Sequence, residues 1–137
     1  LPYWSEIDAS HCKNLFFRNH KGNRHYLVIL DHLRHLRIRD LEQRLKQGKL
    51  TFASPERMKR YLGVDSGSVS VFGLLNDSAR HVHLFLDARM KSARRISFHP
   101  NDNTATVVIS FDSLVRFLDR CGNSYEFIEL YDSSINT

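Results

Sequence analysis

Lys13-Asn14 stands at the entrance of the apolar run Leu15-Phe16-Phe17, and chemistry is expected there first. An ammonium set against a hydrophobic strand loses hydration and needs an anion or a carbonyl oxygen in return. Lys13 is therefore a candidate grip for an anionic substrate, with Asn14 beside it. Two further polar groups lie downstream. Gly67-Ser68-Val69-Ser70 is a glycine-serine turn, where the backbone can approach a ligand closely and adjacent N–H groups can face a carboxyl or phosphate oxygen. His99-Pro100-Asn101-Asp102-Asn103-Thr104 sits at another strand's entrance, and its imidazole can hydrogen-bond an ester or place an attacking water. Each group has a plainer reading: a lysine stem lying on a sheet with its head in water, an ordinary loop, a satisfied histidine. Their co-occurrence at strand ends and turns, where binding groups gather, raises them above it.

Other chemistries fit the chain poorly. It has eight histidines, and His81 and His83 alternate as if on one strand face, while His11-Cys12 adjoins the lysine. Yet no Cys or His pair has structural-zinc spacing with a matching second pair, and His-Glu-x-x-His is absent. No metal or cofactor is expected. There is no Gly-x-Ser-x-Gly elbow for a serine nucleophile, and the Gly67-Ser68 turn lacks the length and lysine of a P-loop. On an extended strand Cys12 points away from the face of Lys13, so those two should not share a site. The basic groups Arg34, Arg37 and Arg39, then Arg57, Lys59 and Arg60, then Arg94 and Arg95 read as solvated surface or as a track for phosphates. The sequence does not place them on one face.

The elements that must position these residues follow from pattern and punctuation. Leu15–Arg18 and Tyr26–Leu30 read as strands joined by a hairpin turn over Asn19-His20-Lys21-Gly22-Asn23. Asp40–Gln47 reads as a helix with Leu41 and Leu45 on its inner face and Gly48 as its stop. A short strand over Leu50–Ala53 precedes a helix that Ser54 caps, Pro55 opens and Gly63 ends after Leu62. Strands are expected over Val69–Phe72, Val82–Leu86, Ile96–His99 and Thr104–Ser110, with helical turns over Asp87–Ala93. Ser110 then caps a helix to Arg120 whose inner side carries Leu114, Phe117, Leu118 and Cys121, with Gly122 as its stop. A last strand covers Tyr125–Leu130. Strands outnumber short, interspersed helices, which predicts an α+β domain on a mixed or mainly antiparallel sheet rather than a doubly wound one.

Bulk properties agree with one domain. The chain has 137 residues, 42% hydrophobic and 26% charged, enough to bury a core without staples. No linker or repeat divides it. No apolar run approaches the roughly 20 residues that span a bilayer, so no membrane partner is expected. Two lone cysteines read as a reduced, cytosolic chain rather than a disulfide scaffold. The net charge of +5 and pI near 9.5 favour a polyanionic partner such as nucleic acid. The first residue is Leu1, so an amino-terminal segment is expected to be missing.

Together, His11-Cys12-Lys13-Asn14-Leu15-Phe16-Phe17, Gly67-Ser68-Val69-Ser70-Val71-Phe72-Gly73 with Asn76-Asp77, and Phe98-His99-Pro100 with Asn103-Thr104-Ala105-Thr106 resemble the YbaK/ProX aminoacyl-tRNA deacylase family. The resemblance spans roughly residues 10 to 130 and is nearest to free-standing prolyl-tRNA editing members of the ProXp-ala (PrdX-like) kind. Two departures stand out. The family commonly has Thr-Pro where this chain has Ser70-Val71, and its members begin with a helix and strand that this chain lacks in part.

The resemblance implies a barrel-like editing domain covering residues 1–137. It implies hydrolysis in trans of mischarged tRNA(Pro), Ala-tRNA(Pro) above all, at the tRNA acceptor end, with prolyl-tRNA synthetase as an associated partner. It assigns Lys13 and His99 to catalysis and Asn14, Gly67, Ser68, Val69, Ser70, Phe72 and Asn103 to substrate binding. The alternatives are a deacylase of Cys-tRNA(Pro) or another aminoacyl-tRNA, and a non-catalytic module that binds tRNA or a synthetase.

Overall fold

A computed structural model describes residues 10–31, 37–65, 69–93, 95–98 and 107–129. Strands β1 (Ser10–Asn19) and β2 (His25–Asp31) pair antiparallel across the expected turn. The Asn19 side chain closes that turn, its Oδ1 accepting from the backbone N–H groups of Asn23 and Arg24. The remaining strands are β3 (Leu50–Phe52), β4 (His83–Asp87), β5 (Arg95–Phe98), β6 (Val107–Ser110) and β7 (Tyr125–Ile128). They form one seven-stranded sheet in the order β6-β5-β1-β2-β4-β7, with β3 also pairing β1. The sheet is mixed, as expected: β1–β2, β1–β3 and β5–β6 are antiparallel, while β1–β5, β2–β4 and β4–β7 are parallel. Among the described residues the path runs from β6 to β7 without closing into a barrel.

Strand alternation sorts the core into two clusters. Phe16, Leu27, Ile29, Leu84 and Leu86 face one side, where they meet Leu62 of α2 (Pro55–Leu62) and Leu114 and Leu118 of α3 (Phe111–Cys121). Phe17, Tyr26, Val28, Leu30 and Phe85 face the other, against Leu41 and Leu45 of α1 (Ile38–Leu45). Each fully buried leucine or phenylalanine contributes about 1.5–3 kcal/mol, so both faces hold the sheet.

The caps of α2 and α3 fall where the sequence puts them. Ser54 Oγ accepts from Arg57 N–H and Ser110 Oγ from Ser113 N–H. Gly63 ends α2 at φ +66°, and a β-carbon there would lie 2.7 Å from Asn76 Nδ2, so the position needs glycine for both backbone and space.

Two expectations fail. Helix α1 ends on Lys46 in the left-handed region, not on Gly48. Glu42 Oε2 accepts from the Leu50 N–H at 2.7 Å, which turns the chain back into β3 directly after Leu45 is buried. The expected strand over Val69–Phe72 is instead an approach to a 3-10 helix, Val71–Asn76. Ser70 Oγ accepts from the Phe72 N–H, and a β-carbon on Gly73 would sit 3.0 Å from both Cβ and carbonyl O of Leu62. That close approach to α2 fixes a coiled segment where β-branched residues alone read as strand. The turns expected over Asp87–Ala93 form a second 3-10 helix, Ala88–Ser92, capped by Asp87.

Candidate functional site

The register of β1 against β2 runs unbroken from Cys12 to Arg18, so side chains alternate strictly between faces. Lys13 lies opposite Leu30, on the face of Leu15 and Phe17, and is exposed. Asn14 lies opposite Ile29, on the face of Phe16. It is half-buried, and its Oδ1 is buried with no hydrogen-bond partner among the described residues. An orphaned acceptor costs about 1–3 kcal/mol, and such a group in a native site calls for an explanation, a ligand donor being one.

The backbone at this point is equally open. On the edge of β1 away from β2, β5 pairs only at Ser10 and His11, and β3 only from Phe17 onward. Ala53 N–H reaches Phe16 O at 2.9 Å, so the peptide groups of alternate residues Phe16 and Asn14 point to that edge. Between the two partners no described strand covers it. Lys13 and Asn14 thus lie on a stretch of β1 that no described strand pairs on this edge, near the carboxyl ends of β2 and β4.

The other candidates divide in two. Gly67, Ser68, His99 and Asn103 lie outside the described residues. Val69, Ser70 and Phe72 are placed on the Asn14 side of the sheet: Val69 and Phe72 pack against that core, Phe72 edge-on to Phe117 with 5.4 Å between ring centroids. Ser70 is buried and acts as the cap already noted. The Asn76-Asp77 pair is structural. Asn76 Nδ2 donates to Leu62 O. The buried Asp77 accepts from the N–H groups of His81 and Val82 and from Asn123 Nδ2, tying the 3-10 helix to the entrances of β4 and β7.

A second polar group, unforeseen in the sequence, occupies the opposite end of the sheet. His25 is 1% exposed. Its Nε2 faces Arg57 Nη1 at 3.1 Å and its Nδ1 faces His81 Nε2 at 2.8 Å. Because a guanidinium only donates, Nε2 of His25 accepts and its Nδ1 carries the proton toward His81. Burial first, then the charges of His81, Arg57, Arg18 and Arg60, lower the His25 pKa to about 4, so the ring is neutral. Phe16 and Tyr61 both pack against its ring, at 5.6 and 4.2 Å between centroids, and Tyr61 stacks on His81 at 4.5 Å.

His83 was expected on one strand face with His81. It begins β4 and His81 precedes the strand, and the two have different partners: His83 reaches Ser124 Oγ at 2.6 Å and Glu126 Oε2 at 3.2 Å. Both line a polar cavity of about 510 Å³ at the amino ends of β2, β4 and β7, with Arg24 and Gln47. Among the described residues no trio of His, Cys, Asp or Glu is arranged to hold a metal ion. The signal for His25 was present in period two, since His25, Leu27 and Ile29 share a face. Its partners Arg57 and His81 come from distant elements and carried none.

The sequence profile of the aminoacyl-tRNA editing domain matches residues 7–117, a span that includes β1 and both 3-10 helices. The chain belongs to this family and is an enzyme of the aminoacyl-tRNA deacylase class. It is 40% identical over 118 residues to the prolyl-tRNA editing protein ProX of Acetoanaerobium sticklandii, covering 86% of this chain and 72% of that protein. It is 31% identical over 127 residues to the prolyl-tRNA synthetase associated domain-containing protein 1 of Xenopus laevis, covering 90% and 75% respectively. Among solved structures, a candidate trans-editing enzyme for prolyl-tRNA synthetase superposes with a TM-score of 0.67 at 19% identity, over 93% of this chain and 76% of that one. That likeness establishes the shared fold.

Proposed function

We propose that this chain hydrolyses the ester of mischarged tRNA(Pro), Ala-tRNA(Pro) first among its substrates, after the synthetase has released it into the cytoplasm. The observation that carries the reading is the 40% identity to a protein named for prolyl-tRNA editing. The need for such an enzyme is physical. A synthetase pocket built for proline loses only about 1–3 kcal/mol of contacts on a smaller amino acid, so a second site must admit alanine and refuse proline by size.

The chemistry asks little of the protein. An aminoacyl ester is already activated, so positioning and stabilisation of the developing oxyanion carry much of the rate. Water adds to the carbonyl carbon, the bond to the ribose oxygen breaks, and that oxygen takes a proton. A neighbouring hydroxyl of the terminal ribose orients the water. Lys13, exposed on a long flexible stem, reaches round the end of the sheet to the terminal phosphate or ester. Asn14 Oδ1 accepts from the substrate's hydroxyl or amine, a donor it lacks among the described residues. Backbone groups of Gly67 and Ser68 hold the aminoacyl end beside Val69, Ser70 and Phe72. His99 positions substrate or water, with Asn103 fixing its corner.

The test is deacylation of Ala-, Cys- and Pro-tRNA(Pro) side by side. Rapid loss of alanine with proline retained is expected. Preferential loss of cysteine would make this a deacylase of different specificity, and failure to release any amino acid would overturn the reading.

A further inference from the structure

Residues 13–30 contain Lys13, Arg18, Lys21 and Arg24 and not one carboxylate. Helix α2 adds Arg57, Lys59 and Arg60 against Glu56 alone. The fold brings these two runs together: Arg57 Nη1 donates to Gly22 O at 2.9 Å as well as reaching His25, which clamps the helix to the hairpin turn. The clamp uses neutral acceptors, so it leaves the positive charge uncompensated. Among the described residues the one ion pair here is His83–Glu126, and Lys21, Arg24 and Arg60 are exposed with no carboxylate within ion-pair distance. Arg18, Arg57 and Arg60 all bear on His25 as positive neighbours. Concentrated like charge opposes the compact state, and a fold that tolerates it without counter-ions is built for an anion from outside.

Arg37 at the N-cap of α1, and Arg39 and Arg44 within it, do not join this surface. Helix α1 packs on the other face of the sheet from α2.

We propose that the turn end of the β1–β2 hairpin, with Lys21, Arg24 and Arg60, is a second RNA contact that holds backbone phosphates of the double-stranded stem behind the charged 3′ end. This rests on the editing function proposed above. From Lys13 to Asn19 the strand covers roughly 20 Å. A charged 3′ end emerges from a base-paired stem, so an enzyme that holds the end at Lys13 has stem phosphates in reach of the turn. Double-stranded RNA is gripped through backbone and shape rather than base edges, which suits exposed lysine and arginine; Arg60 rests over the Tyr61 ring at 5.3 Å, which holds its guanidinium in place.

The experiment uses the full chain. Uncharged tRNA(Pro) is titrated by fluorescence anisotropy against wild type and the Lys21→Ala/Arg24→Ala/Arg60→Ala variant from 50 to 200 mM salt. Each phosphate contact contributes about 0.7–0.9 to the slope of log affinity on log salt. Wild type should therefore lose roughly 20–40-fold more affinity than the variant over that range. In deacylation, the variant should show a raised KM on full-length aminoacyl-tRNA. On a short aminoacyl oligonucleotide carrying only the 3′-terminal nucleotides it should match wild type. Equal salt slopes would overturn the proposal, and so would equal loss on the short substrate. If the triple variant does not fold, Lys21→Ala alone should reduce the slope by one contact. Failure of the editing reading would leave wild type unable to release any amino acid, yet the anisotropy comparison would still stand.

Discussion

At the amino ends of β2, β4 and β7, His25 and His83 each bond through both ring nitrogens, Asp77 accepts from three donors, and Tyr61 and Phe16 pack against the imidazole of His25. At the carboxyl end of β2, Lys13 is exposed, Asn14 Oδ1 is buried without a described partner, and no described strand pairs the β1 edge between β5 and β3. His25 and His83 resemble catalytic or metal-binding groups by type, yet both ring nitrogens of each are already engaged. Residues at the second end are fewer and chemically plainer, and Asn14 Oδ1 has no partner among the described residues. Satisfied polar groups hold a shape, whereas an unsatisfied one calls for an explanation, and the proposed function supplies a ligand as that explanation.

Mutations at the two ends should separate these roles. Lys13→Ala should lower kcat/KM for Ala-tRNA(Pro) by roughly 100-fold or more, the scale of a lost electrostatic contact in a reacting site. Its unfolding free energy should stay within about 0.5 kcal/mol of wild type, as for an exposed residue. A Lys13→Ala enzyme of full activity would erase the contrast. His25→Ala should do the reverse and cost about 2–4 kcal/mol in urea unfolding, through a cavity and the stranded Arg57 and His81 groups. Deacylation by the folded fraction should persist.

The buried imidazole also sets a pH dependence. Its pKa of about 4 lies below the ordinary 6.5, so the unfolded chain takes up the proton first. The stability it contributes is whole above about 6.5 and is lost as pH falls toward about 4. Urea titrations at pH 7 and pH 4.5 should differ by about 2 kcal/mol from this group, and His25→Phe should flatten that slope. Gly63→Ala should cost about 2 kcal/mol, because the left-handed backbone and Asn76 both resist a methyl group. The smallest change is Ser54→Ala, about 1 kcal/mol from the lost α2 cap, read as a lower Tm.

Local signals carried most of the fold. Ser54-Pro55 with Gly63 marked α2 to the residue, and Ser110 with Gly122 marked α3 to within one, because capping is encoded within a few positions. The hairpin turn was legible for the same reason. Val71–Asn76 was not, since Gly73 matters there through its contact with Leu62, a neighbour in space and not in sequence. Lys46 as the end of α1 was missed likewise, because the pull on the chain comes from Glu42 reaching Leu50. Around the candidate site, adjacency suggested that Lys13 and Asn14 act as a pair. Strand periodicity puts them on opposite faces, a consequence available from the sequence by the argument that separated Cys12 from Lys13. The stretch of β1 without a described partner strand was not available, because it depends on where β5 leaves and β3 joins.

The parallel ladder has a further consequence during biosynthesis. β4 finds β2 already made, but its other neighbour, β7, is encoded only at residues 125–128. At translation speeds of about 5–20 residues per second, the interval from Asp87 to Tyr125 lasts roughly 2–8 s. Until then one flank of Leu84-Phe85-Leu86 has no strand to pair with. Slow codons between positions 88 and 124 should therefore lower the soluble yield of an otherwise unchanged protein.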